Sequence, residues 1–493
     1  MRLAIATTIL TPVLLACGAS AAEERYFPPT DPKVQAKLEQ WRDAKFGLMM
    51  HWGTYSQWGV VESWPLCGED EDWCRRTIDN YDEHRRAYEK LATTFNPTDF
   101  DPQRWVRAAK AAGMRYVVFT TKHHDGFCMY DTKLTDYRIT SPATPFHTNP
   151  RADVTKAIFD AFRAEGFLIG AYYSKPDWHC DDYWWRRFPT PDRHVNYDVT
   201  RYPDRWERFV RFTHDQIDEL MSRYGRIDIL WLDGGWVANR TPEECVAANA
   251  DPTNLRRIQN EDIRIGEIAA SARRKQPGLL VVDRAVEGPF QDYLTPENRI
   301  PEKMLPHPWE SNIVSGGGYA YVPGAKYLSD REVVRMLADI VSRGGNMLLN
   351  VAPSPKGDFD PAAYEMLEGV ARWMRVNSDA IYDTRPLAPW RDGRFALTQN
   401  RHTKAAYAIY LSSDDQPTPP TRMLLNDIAP AADAVITMLG DDRRLDWKPV
   451  GDGCLVEIPQ RLIDAPPSAH HWVLKIAKLR DATPAPTTES MVP

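Results

Sequence analysis

From Phe46 to Asn377, short apolar, aromatic or β-branched runs alternate with stretches of helical pattern. Few folds tolerate that rhythm, because each strand of a parallel sheet needs a crossover, usually a helix, before the next one. The runs expected as strands are Phe46 to His51, Tyr116 to Thr121, Phe167 to Ser174, Ile227 to Asp233, Leu279 to Arg284, Trp309 to Val314 and Met347 to Val351. Between them, Asp101-Pro102 opens a helix that ends at Gly113, Thr155 to Glu165 stops at Gly166, and Ser329-x-x-Glu332 has the capping-box spacing of a helix that stops at Gly344. Eight such units close a barrel and roughly seven are visible. The expectation is therefore an irregular (β/α)8, TIM-like barrel rather than an open sheet. No Gly-x-Gly-x-x-Gly follows the first strand, which argues against a dinucleotide fold.

After about Pro389 the texture changes to short alternating segments between turn residues, among them Phe395 to Thr398, Ala405 to Leu411, Cys454 to Ile458 and His471 to Ile476. A C-terminal antiparallel β-sandwich is expected there. At 493 residues and 43% hydrophobic composition the chain is long enough for two unequal cores. The expected organisation is a signal peptide over 1–21, a catalytic barrel over 22–389, the β-sandwich over 390–479 and a disordered Pro/Thr-rich tail over 480–493. The apolar run Leu3 to Ala16 after Arg2 is too short to span a bilayer, and Ala19-Ser20-Ala21 satisfies the small-x-small cleavage rule. An exported protein, periplasmic or extracellular and without a membrane span, is expected. Leu14-Leu15-Ala16-Cys17 is the competing lipoprotein reading. Among the remaining cysteines only Cys67 and Cys74 are close enough in sequence to suggest a local disulfide. A net charge of -7 removes the electrostatic footprint of a nucleic-acid binder. The 17 Trp hint at carbohydrate, since an indole face packs on sugar C–H groups.

Catalytic groups of a barrel sit where its strands end, and those places are crowded with polar and aromatic residues here. The first strand runs into His51-Trp52-Gly53 and the second into Lys122-His123-His124-Asp125-Gly126. The third carries Tyr172-Tyr173, the fourth Trp231-Leu232-Asp233-Gly234, the fifth Asp283-Arg284 and the sixth Trp309-Glu310. Strand alternation puts Trp231 and Asp233 on one face. A retaining glycosidase needs one carboxylate as nucleophile and a second carboxyl as acid and then base, a pair that Asp233 and Glu310 could supply. A metal-dependent barrel hydrolase would instead use the histidines and Asp233 as ligands. It usually needs His-x-His on one strand face, and adjacent His123 and His124 would point apart on a regular strand. A catalytically inactive carbohydrate-binding protein would keep the His and Trp residues but lose a carboxylate, and both candidates are present.

Trp41-Arg42-Asp43-Ala44-Lys45-Phe46-Gly47 with His51-Trp52-Gly53, Thr121-Lys122-His123-His124-Asp125-Gly126-Phe127, Trp231-Leu232-Asp233-Gly234 and Gly344-Gly345-Asn346-Met347-Leu348-Leu349-Asn350 resemble the α-L-fucosidases of glycoside hydrolase family 29. The resemblance covers roughly Trp41 to Pro386 and implies an irregular barrel followed by a β-sandwich. It also implies an exo-acting, retaining hydrolase of terminal α-L-fucosyl groups that needs no cofactor and no metal and takes a fucosylated glycan as substrate. It makes Asp233 the nucleophile and Glu310 the acid/base. His51, His123, His124, Trp231, Arg284 and Tyr172 become sugar ligands, with Tyr173 as the alternative to Tyr172. Glu62 and Trp64 resemble a Glu-Trp pair of the family with Ser63 intervening, so Asp72-Trp73 competes for that place. Gly316-Gly317-Gly318-Tyr319 departs from relatives that carry an aromatic just before Gly-Tyr, which leaves the leaving-group side more open. Linkage, natural glycan and oligomeric state are not readable, and an oligomer is as compatible with these residues as a monomer.

Overall fold

The computed structural model describes residues 25–480 apart from 69–73, 75, 77 and 252–256. The expected signal peptide, the Cys17 lipoprotein box, Asp72-Trp73 and the tail beyond Arg480 lie outside the described residues. Seven parallel strands form the first sheet: β1 (Phe46–Met50), β2 (Tyr116–Lys122), β3 (Leu168–Ser174), β4 (Ile229–Asp233), β5 (Leu280–Asp283), β6 (Glu310–Val314) and β7 (Asn346–Asn350). Their order is β5-β4-β3-β2-β1-β7-β6, a curled sheet with β5 and β6 at its two edges. Among the described residues no eighth strand closes the gap. The β5–β6 connection makes isolated bridges to both sides instead, Val282 to Gln291, Leu294 to Trp309 and Glu297 to Asn312. This is the irregular barrel expected from the repeat.

Period-2 alternation sorts the strand residues into two cores. Met49, Tyr116, Val118, Tyr172, Ile229, Trp231, Leu280, Val282 and Leu348 point inward and pack with Trp41 and Tyr293. Leu48, Val117, Phe119, Ile169, Leu230, Leu232, Val281 and Met347 point outward and pack against the helices. The helices begin where the caps predict: the side chain of Asp101 accepts from the Gln103 amide ahead of Pro102–Ala111, and Ser329 and Glu332 close a full capping box on Asp330–Ser342. The long helix Pro203–Arg223 starts on Pro203 with Asp204 in its first turn, although Tyr202 offers no side-chain cap.

The C-terminal part has a five-stranded antiparallel sheet, β12-β15-β10-β9-β8, and a three-stranded one, β11-β14-β13. Its strands are β8 (Thr384–Asp392), β9 (Phe395–Asn400), β10 (Ala406–Tyr410), β11 (Arg422–Leu425), β12 (Ile436–Met438), β13 (Trp447–Val450), β14 (Gly453–Glu457) and β15 (Val473–Ile476). Both sheets contribute to a separate core that includes Leu397, Ala408, Met423, Leu425, Val456 and Trp472. The boundary expected at 389/390 falls inside β8 and is corrected to a position before Thr384. Pro386 and Pro389 conceal this strand in the sequence, but it is the edge of its sheet and bulges between Pro386 and Arg391, where missing N–H donors are tolerated. Arg480, the first residue of the expected tail, donates its amide to the carbonyl of Ala429.

Candidate active site

The C-terminal ends of the strands enclose a cavity lined by His51, Glu62, Trp64, His123, His124, Arg193, Trp231, Asp233, Trp236, Arg284, Glu297, Asn312 and Tyr319. Asp233, the last residue of β4, is its most constrained member. Its Oδ2 accepts from the Tyr172 hydroxyl at 2.7 Å, and its Oδ1 accepts from Arg284 Nη1 at 2.9 Å and from the Gly234 amide at 2.8 Å. Burial alone would raise this carboxyl, but the Arg284 charge together with His124, Tyr172 and the Gly234 N–H outweighs it and holds Asp233 far below the usual carboxylate range. The sharp turn after it requires glycine, since Gly234 has φ +90° and a Cβ there would lie 2.4 Å from the Pro176 ring. Tyr172 is the inward residue of its pair and stacks on Trp231 at 5.3 Å between ring centroids. Tyr173 points outward, its hydroxyl donating to Gln216 on the helix Pro203–Arg223.

The three histidines meet in this mouth. His51 Nδ1 lies 2.9 Å from Asn350 Oδ1, while Asn350 Nδ2 donates to the Tyr319 carbonyl at 2.8 Å. The amide is thereby oriented with its oxygen toward the ring, so His51 carries its proton on Nδ1 and turns an acceptor Nε2 away from Asn350. Burial pushes His51 down to about 4 and His124 down to about 3, and burial with the neighbouring rings puts His123 well below the ordinary value. All three are neutral near pH 7. The expectation that His123 and His124 would point apart is corrected: β2 ends at Lys122, and the two rings lie past it with centroids 4.2 Å apart. His123 Nδ1 is 2.5 Å from Ser63 Oγ, and His124 Nε2 is 3.8 Å from Asp233 Oδ2. Potential ligand atoms of His123, His124 and Asp233 lie within 4.8 Å of one another. A cation there would have to share Asp233 with the Arg284 guanidinium, and both carboxylate oxygens already accept hydrogen bonds.

Glu62 and Trp64 are both in the cavity wall. Glu62 is buried, its Oε1 accepts from the Ala320 amide at 2.7 Å, and burial pushes its carboxyl up to about 8. Trp64 packs its ring against His124, Trp178 and Trp236.

Glu310 is not in this cavity. It is the first residue of β6, paired with Asn346 at the start of β7, and the mouth lies at the other end of the strand. Four residues of strand, about 13 Å, separate the two ends. Its oxygens accept from Tyr116 at 2.7 Å and from Trp231 Nε1 at 3.2 Å beneath the site. The expected pairing of Asp233 with Glu310 as acid/base is thus corrected. Glu287, another acid of the β5–β6 connection, is exposed and accepts from the Arg25 amide.

Besides Glu62, the carboxyl that shares the cavity with Asp233 is that of Glu297, which no sequence signal singled out. It sits on the irregular β5–β6 connection and is 50% exposed, and Arg284 holds it through Nη2 while holding Asp233 through Nη1. Arg193, Trp236, Asn312 and Tyr319 likewise join the cavity without having been expected as site residues. Arg193 lies over the rings of Trp64 and Trp236 at 4.8 and 5.3 Å, and its carbonyl accepts from Trp178, Tyr183 and Trp236. Apart from Asn312, which lies within β6, these residues sit in connections without periodicity. For Trp236 a signal was available, since it follows Asp233 by three residues in a Trp-x-Asp-Gly-x-Trp spacing.

Comparison with known proteins agrees with this architecture. A family model described as alpha-L-fucosidase matches residues 13–379. The alpha-L-fucosidase of Branchiostoma floridae is 27% identical over 94% of this chain and 98% of its own, and the tissue alpha-L-fucosidase of Homo sapiens is 27% identical over 97% and 99%. The solved structure of alpha-L-fucosidase isoenzyme 1 from Paenibacillus thiaminolyticus superposes with a TM-score of 0.72 at 28% identity, covering 91% of this chain and 100% of that one. With a family model matching well over half of the sequence, and the barrel, β-domain and strand-end cavity in place, the chain belongs to the α-L-fucosidase family of glycoside hydrolases.

Proposed function

We propose that this protein is an exo-acting, retaining α-L-fucosidase with Asp233 as nucleophile and Glu297 as acid/base. The observation that carries the reading is Asp233 itself, a buried carboxylate kept ionised by Arg284 and Tyr172 in a mouth lined by neutral imidazoles. Terminal fucose enters with its hydroxyls toward His51, His123, His124 and Glu62 and its apolar face on Trp231. Asp233 attacks the anomeric carbon while Glu297 protonates the departing glycosidic oxygen. Water then releases the sugar from Asp233 with Glu297 as base, so configuration is retained and no cofactor enters. Neutral histidines suit an oxocarbenium-like transition state, since a protonated ring beside it would oppose the developing positive charge. Glu297 is preferred to Glu62 because it is the half-exposed carboxyl, reachable by an aglycone on the open side. Glu62, which holds its proton at pH 7, is the second reading for the acid.

The substrate is a fucosylated oligosaccharide or glycoconjugate, and the enzyme is exported to the periplasm or outside the cell. Among the described residues no helix is long and apolar enough to cross a membrane. The test is turnover of an aryl α-L-fucoside by the wild type and Asp233→Ala. A loss of about a thousandfold or more in a folded variant is expected, and near-normal activity overturns the nucleophile assignment.

A further inference from the structure

We propose that Glu310 is a positioning residue that acts on sugar binding through the indole of Trp231. Glu310 is fully buried on the barrel floor, in a layer of Trp41, Tyr116, Tyr293 and Trp231, and none of these neighbours is a cation. One carboxylate oxygen accepts from Trp231 Nε1 at 3.2 Å and the other from the Tyr116 hydroxyl at 2.7 Å. Above it the contacts form one continuous column. Trp231 stacks on Tyr172 at 5.3 Å and 21°, and the Tyr172 hydroxyl donates to Asp233 at 2.7 Å. The edge of the indole is thus fixed by Glu310 while the ring, with the Arg284 guanidinium over it at 5.6 Å, belongs to the cavity lining.

The floor is also built to satisfy Glu310 in both protonation states. When the carboxylate is ionised, Tyr116 donates to it. When it is protonated, the acid can donate to the Tyr116 oxygen, and the phenol proton can turn to the Met347 carbonyl 3.3 Å away. Trp231 keeps an acceptor either way, charge-assisted only in the ionised state. Burial pushes Glu310 up to about 7, so the exchange falls near neutral pH. The groups packed around it do not titrate there. Tyr116 of β2 and Tyr293 of the β5–β6 connection are raised far above 10 by burial, and Trp41, Trp231 and Asn346 do not titrate.

This inference rests on the fucosidase reading, which fails separately if the wild type does not turn over an aryl α-L-fucoside. With an active wild type, KM for that substrate and inhibition by L-fucose are compared for Glu310→Ala and Glu310→Gln. Glu310→Ala is expected to raise both constants about tenfold, with a smaller change in kcat. Glu310→Gln keeps an acceptor for Trp231 and should match the wild type at pH 5.5, then show a KM about threefold above it at pH 8.5, where the wild-type carboxyl is ionised. A folded Glu310→Ala with unchanged constants overturns the proposal. So does a Glu310→Gln whose KM tracks the wild type across the whole pH range, a test that stands even if the alanine variant does not fold.

Discussion

Around Asp233 single residues decide the chemistry, and the readable ones share one property. Asp233, His51, His123, His124, Tyr172, Trp231 and Arg284 lie on strands or within two residues of a strand end, so side-chain alternation and strand direction are enough to locate them. Glu297 belongs to a connection that replaces an eighth strand, where nothing periodic marks which acid turns inward. Glu310 shows the converse error, because closeness to a strand does not say which end of the barrel a side chain serves. Glu297→Ala should lose activity mainly on substrates with poor leaving groups, and azide should restore its second step as a fucosyl azide. If azide rescues Glu62→Ala instead, the acid is Glu62. With Glu297 as acid, Glu62 binds sugar in its protonated form, so KM should rise as pH passes about 8, where that carboxyl ionises. Glu62→Gln should remove this limb, and a limb that persists in the variant contradicts the assignment.

The connections hold the site through buried polar contacts between elements. Lys122 ends β2 with its ammonium 3.1 Å from Asp177 Oδ2 and 3.1 Å from the Tyr173 hydroxyl, and neither ionic partner reaches water. Asp177 also accepts from the amides of His179 and Cys180, and a Cβ on Gly126, at φ +78°, would lie 2.2 Å from its Oδ1. The loop carrying His123 and His124 is thereby locked to the loop that follows β3. Asp177→Ala leaves Lys122 as an unpaired buried charge and should destabilise the fold by about 3 to 5 kcal/mol, whereas Lys122→Met with Asp177→Ala should recover much of that loss. Denaturant unfolding checks it, and additive losses in the double variant would contradict it. None of this lock is visible in the sequence, since Lys122 and Asp177 sit 55 residues apart and only the register of β2 on β3 brings them together. The expected strands match the observed ones to within about two residues, while β8 and β11 have no run assigned to them and the long helix Pro203–Arg223 starts without a side-chain cap.

At the scale of the whole molecule, one curled sheet supplies the site and the antiparallel domain packs behind it. The buried His471 joins the two parts, its Nε2 3.0 Å from the Arg331 carbonyl and its own carbonyl accepting from Trp373. Export is the expectation for the chain as a whole. Its mature N-terminus should begin at or near Ala22, and a diacylated Cys17 in the mass spectrum would replace the soluble protein with an anchored one. As nucleophile, Asp233 should become covalently fucosylated during turnover. Incubation with a 2-fluoro-fucosyl fluoride, proteolysis and peptide mass mapping test this most directly. A 2-fluorofucosyl adduct on the peptide that contains Asp233 is predicted, and an adduct on any other carboxylate would contradict the assignment.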